Sequence, residues 1–124
     1  MTSETPTPAI PAENPLSVAD VLERVADLIE PEGAWTQGVG ARDQNGRETN
    51  FDSRDAQCWC VIAITQREAI AANIDGFDVR AFVREVVGDD CLLDWNDAPE
   101  RTQAEVVAKL REAAALARKD QANG

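Results

Sequence analysis

A chain of 124 residues supports one domain with a core of its own and leaves no room for a second. Its 44% hydrophobic and 28% charged residues are ordinary globular proportions, and no run approaches the roughly 18 apolar residues of a membrane span, so a bilayer role is not expected. A net charge of -11 repels phosphates, which sets direct DNA or RNA binding aside and favours a basic partner.

Residue chemistry narrows the function further. The sequence holds no His, and with it go the commonest general base, the commonest metal ligand and the usual pH switch. Cys58, Cys60 and Cys91 form a C-x-C with one distant Cys, a weak zinc pattern even with Asp94 added. Asp89, Asp90, Asp94 and Asp97 match no calcium loop. No metal and no other cofactor is therefore expected. Met1 to Pro15 has neither the basic start nor the apolar segment of a secretory signal, so cytoplasmic residence is expected, and a reducing cytoplasm argues against disulfides.

Four of the six prolines fall in Met1 to Pro15 with almost no large apolar group, so residues 1–15 are expected to form a flexible tail. A single helical domain over residues 16–120 follows, with residues 121–124 frayed. Ser17, with Asp20 in the capping-box position, opens a helix over 17–30 in which Val18, Val21, Leu22, Val25, Leu28 and Ile29 fall at helical spacing. Pro31 stops it. The polar face sets Asp20, Glu23, Asp27 and Glu30 against a lone Arg24, a strongly negative surface.

Gly33, Gly38, Gly40 and Gly46 make residues 32–55 a long loop, with at most a short two-stranded ribbon around Gln44-Asn45-Gly46 and with Trp35, Val39 and Phe51 as anchors. Ala56 to Ile64 is the one run apolar enough to be buried on all sides. It predicts a central helix over 56–73, capped by Asp52, Ser53 or Asp55 and stopped by the Asp75-Gly76 turn. Asp78 caps a third helix over 78–87, with Val79, Phe82, Val83, Val86 and Val87 on one face and Gly88 at its end. From Glu85 to Glu100 there are six carboxylates and no base. Thr102 and Glu105 form the capping box of a last helix over 102–119, with Val106, Val107, Leu110, Ala113, Ala114 and Ala117 as its buried stripe. The fold class is mainly α: a small bundle of about four helices packed around the second, with the long loop folded across them.

Trp35-Thr-Gln-Gly, Cys58-Trp-Cys60 and Trp95-Asn-Asp-Ala-Pro-x-Arg-Thr, in that order, resemble segments of a family of small bacterial and bacteriophage proteins catalogued as domain of unknown function 6197. The resemblance runs from about Leu16 to Ala117, and Ala63-Ile64 stands where the family often has Gly-Ala. It implies the fold boundaries, the singled-out residues and residence in a bacterial cell or a phage-infected host. It implies no mechanism, because the family has no established activity.

Two classes of function stay open. The first is a non-enzymatic interaction protein whose acidic residues, Asp20, Glu23, Asp27 and Glu30 with Asp89, Asp90 and Asp94, bind a basic partner protein; mimicry of nucleic-acid charge is one form of this. The alternative is a small-ligand or peptide pocket, or a cysteine-dependent enzyme, built from Trp35, Gln37, Cys60, Trp95, Asn96 and Asp97. A thiol at a helix N-terminus is acidified, but without His no Cys-His pair can form and nearby carboxylates work the other way. No catalytic residue is assigned. A purely structural account of the same residues has the rings filling the core, with Trp95 inserted between the first and central helices and Asn96 or Asp97 bonding backbone groups of the loop that holds Trp35.

Overall fold

The computed structural model describes residues 16–123, so the tail expected over residues 1–15 lies outside the described residues. Helix α1 spans Val18–Ile29 and begins as its sequence dictates: Ser17 Oγ accepts from the Asp20 amide at 3.1 Å while the Asp20 carboxylate accepts from the Ser17 amide at 3.0 Å. Ala19, Val21, Leu22, Val25, Ala26 and Ile29 form its buried face. Its last carbonyls are answered from far along the chain, where Gln103 Nε2 donates to Ile29 O and Pro31 O, each at 2.6 Å.

The loop after Pro31 contains more β-structure than a ribbon. Strands β1, Ala41–Asp43, and β2, Glu48–Thr49, form the expected hairpin, with Asp43 Oδ1 accepting from the amides of Asn45 and Arg47 and Gly46 at a φ of 81°. A third strand, β3 at Ala56–Trp59, pairs antiparallel with β1, giving the order β2-β1-β3. The expectation of at most two strands is thereby corrected, and so is the helix start at residue 56. A short apolar run reads equally well as buried strand or buried helix, and the partner strand decided it. Ser53, one of three proposed caps, instead accepts from the Asp55 amide within its own turn.

Helix α2 therefore runs from Val61 to Ala71, with Cys60 as its N-cap, and the chain leaves it through Asn73 at a φ of 59°. Val61, Ala63, Ile64, Thr65, Glu68 and Ala69 are buried, so this helix is the central one as expected. Helix α3, Gly76–Val87, starts earlier than residue 78: Asp75, not Asp78, is the cap, accepting from the Phe77 amide at 2.9 Å, while Asp78 falls in the first turn. Gly88, at a φ of 72°, ends it as expected.

Residues 92–97, read from sequence only as a connection, form a fifth short helix, α4 at Leu92–Asp97. Helix α5, Gln103–Asn123, opens on the Thr102–Glu105 box and runs on past residue 119. The mainly helical class stands, with one correction to the packing. Helix α2 packs on α1, α3 and α4, but the most extensive helix pair is α1 with α5, and α5 also rests on α3. Both helices feed the one core: Ala19, Leu22, Val25, Ala26 and Ile29 of α1 and Val106, Leu110, Ala113, Ala114 and Ala117 of α5 are all buried in it. No helix among the described residues is long and apolar enough to cross a membrane.

Candidate functional site

Asn96, on α4, is completely buried and holds the N-terminus of the central helix to the long loop. Its Oδ1 accepts from the Val61 amide at 2.9 Å and from Trp35 Nε1 at 2.8 Å. Its Nδ2 donates to Thr36 O at 3.2 Å and to Asp97 Oδ1 at 2.9 Å. All four hydrogen-bonding positions of the amide are filled. Gln37 completes the joint by donating to Asn96 O and Ala98 O, each at 2.9 Å, and Asp97 Oδ1 accepts from the Gly38 amide at 3.0 Å. Trp95 is buried beside it with the Arg101 guanidinium 4.3 Å from its ring centre. Its helix packs on α2 and α3.

The loop side of the joint is braced by a residue that sequence reasoning missed. Arg42 of β1 donates from Nε to Thr36 Oγ1 at 2.9 Å and from Nη2 to Gln37 O at 3.3 Å, holding Gln37 in place. Trp59 joins the same loop through its backbone, accepting from Thr36 N and donating to Ala34 O, and its indole donates to Phe51 O at 3.0 Å.

Cys60 sits at the edge of this joint. Its sulfur accepts from the Ala63 amide at 3.4 Å, a weak cap whose shortfall the Asn96–Val61 bond makes good. Burial pushes the thiol pKa up, the amides of Ala63 and Ile62 pull against that, and the Asp97 charge pushes it further up. The acidification expected of a helix N-terminus is thus overcome by desolvation, leaving the protonated thiol, a poor nucleophile. Cys58 is half-buried on β3 and Cys91 is exposed ahead of α4. No three His, Cys, Asp or Glu side chains among the described residues are grouped to hold a metal ion.

The acidic residues divide into two sets. On α1, Glu23, Asp27 and Glu30 all receive hydrogen bonds from Arg111 of α5, at 3.0, 3.0 and 2.8 Å, and Asp20 lies 3.4 Å from Arg118. Arg24 turns the other way, onto the buried Glu68. The α1 face is therefore partly neutralised, four exposed carboxylates facing two arginines. From Glu85 to Glu100, by contrast, no carboxylate forms an ion pair among the described residues.

Of the six candidate pocket residues, Cys60 lines an open groove; the other five are not in its wall. That wall is mostly apolar, with Val39, Phe51, Ile62, Ala63 and Leu93 prominent. The model of a family of unknown function, DUF6197, matches residues 13–116 of the chain. The chain belongs to that family. No curated protein and no solved structure matches it. Of the three segments that carry the family resemblance in this sequence, Trp35 to Gly38 and Trp95 to Asp97 bond each other at Asn96, while Cys58 to Cys60 pairs with the same loop through Trp59 and leads into Val61, whose amide Asn96 holds, so in this DUF6197 protein they converge on one joint.

Proposed function

We propose that the protein is a non-enzymatic interaction protein that binds a basic partner protein through the acidic edge between Glu85 and Glu100. The observation that carries this reading is the division of charge: the α1 carboxylates are answered by Arg111 and Arg118, whereas Glu85, Asp89, Asp90, Asp94, Asp97 and Glu100 have no ion-pair partner among the described residues. The flanking arginines form no ion pair with that edge. Arg84 lies over the Phe77 ring at 4.7 Å, and Arg101 lies over Trp95 and pairs with Glu105. Concentrated charge of one sign steers and orients an opposite partner.

A partner whose basic surface otherwise holds nucleic acid fits this edge, the carboxylates standing in for phosphates. Such a partner places both proteins in the cytoplasm of a bacterial cell or a phage-infected host. A polar pocket or a cysteine-dependent activity draws less support, because Asn96 spends its hydrogen bonds inside the fold and the Cys60 thiol is held protonated.

Affinity capture from bacterial lysate with the wild type and with a Glu85→Gln, Asp89→Asn, Asp90→Asn, Asp94→Asn variant tests the proposal. Basic proteins should be retained by the wild type at about 0.1 M salt and released at about 1 M, where the Debye length falls to about 3 Å. The variant should retain few. Equal recovery by the two chains, or recovery of nothing basic, overturns the reading.

A further inference from the structure

Beside the Asn96 joint, the loop 38–40, the start of α2 and the exposed side of α4 enclose an open groove of about 570 Å³. Val39, Phe51, Cys60, Ile62, Ala63 and Leu93 make it mostly apolar. At one end Gln66 and Arg80 bind each other, with 2.6 Å between Gln66 Oε1 and Arg80 Nη1, and the bare backbone of Gly76 leaves room for that pair. Leu93 is 50% exposed at the rim. An exposed leucine is unremarkable alone, but one that continues an apolar groove forms a surface suited to an apolar side chain.

The wall itself holds one charged side chain, Arg80, which is bound to Gln66, and the carboxylates stand just outside the wall on α4. Asp97 lies one helical turn beyond Leu93 on the same face of α4, with one carboxylate oxygen accepting from the Gly38 amide and Asn96 Nδ2, and Asp94 follows Leu93 in the chain on the neighbouring face. Both belong to the edge without ion pairs. That charge decides the occupant: a second copy would bring another -11 against this one, and a nucleic acid would be repelled, whereas a polypeptide with Lys or Arg on either side of an apolar residue satisfies wall and rim together.

We propose that the groove seats an apolar side chain from a basic segment of the partner protein, with the carboxylates of α4 holding the flanking Lys or Arg residues. This rests on the reading of the acidic edge as the partner surface and adds to it what the partner inserts.

The test is a titration of the ¹⁵N-labelled full chain with three short peptides of one length: lysine/leucine amphipathic, lysine/serine, and glutamate/leucine. The lysine/leucine peptide should move the amides of Val39, Ile62, Ala63 and Leu93, and Leu93→Ser, an exposed change that leaves the fold intact, should weaken it about tenfold. If the lysine/serine peptide binds equally well and moves only the edge from Glu85 to Glu100, the groove proposal falls while the acidic edge survives. Equal binding of the glutamate/leucine peptide in the groove overturns the basic occupant. Groove amides that shift on simple dilution of the protein would assign the groove to a second copy and overturn the proposal. Absence of binding by both lysine peptides sinks the groove and the acidic-edge reading together.

Discussion

The side-chain oxygen of Asn96 stands 2.9 Å from the backbone nitrogen of Val61, the first residue of the central helix. The two residues are 35 positions apart, yet Asn96 does for α2 what a local cap does for other helices. The local cap here is a cysteine, whose sulfur is a weak acceptor, and the same Asn96 oxygen also receives the Trp35 indole.

Replacing Asn96 with Ala leaves the Val61 amide, the Trp35 indole and Thr36 O without partners in a buried site. The expected loss of stability is about 1 to 3 kcal/mol, the cost of unsatisfied buried polar groups. Asn96→Asp should also destabilise, because it removes both donors and sets a carboxylate against Asp97. Urea unfolding of the two variants, followed by tryptophan fluorescence, measures this; an unchanged midpoint for Asn96→Ala would contradict the structural role of the joint.

The three thiols should react in the order of their exposure. Cys91 is expected to label readily in the native protein, Cys58 more slowly, and Cys60 only on opening of the fold. If that opening costs about 3 kcal/mol, Cys60 reacts about a hundredfold more slowly than Cys91. Burial also raises its pKa, so less of the reactive thiolate is present at Cys60 in the closed fold at a given pH. Mass spectrometry of timed quenches reads both effects.

Arg111 joins three carboxylates of α1, and hydrogen bonds to Asp27 first, then Glu23 and Glu30, hold its guanidinium still more firmly protonated. Arg111→Gln leaves those carboxylates facing one another. Because the groups are well exposed, the loss should be only about 0.5 to 1 kcal/mol at low ionic strength. It should shrink markedly in about 1 M salt, where the Debye length is about 3 Å. A loss independent of salt would mean that the packing of the Arg111 stem, not its charge, joins α1 to α5.

Asp20 gives a pH dependence of known sign. The Ser17 amide lowers the carboxyl pKa below its ordinary 3.8, with the Ser17 hydroxyl and Arg118 adding to the effect. A folded pKa below the unfolded one contributes stability above the unfolded value and loses it as pH falls through the folded value. The wild type should therefore exceed Asp20→Asn by about 0.5 kcal/mol near neutrality. Below pH 3.8 that margin should shrink steadily to the hydrogen bond alone, as thermal melts across pH 2 to 7 would show.

What the sequence determined by itself are the features written in local chemistry. The Ser17–Asp20 and Thr102–Glu105 boxes, the turn at Gly46, the stop at Gly88 and the helical stripes of α1, α3 and α5 each depend on residues within a turn or two of one another. That Trp35, Gln37, Asn96 and Asp97 converge was legible for a related reason: buried amides and indoles must find partners, and few were on offer. Only the tertiary structure decided three things. Ala56–Trp59 became a strand because β1 offered it an open edge. The acidic face of α1 was answered by Arg111 and Arg118, which lie some eighty to a hundred positions away and share no local pattern with it. Cys60 kept its proton because the packing around it removes water, outweighing the helix amides whose pull the sequence does reveal. In each case the deciding term is a long-range one, an open strand edge, a distant charge or a loss of solvent, and no window along the chain contains it.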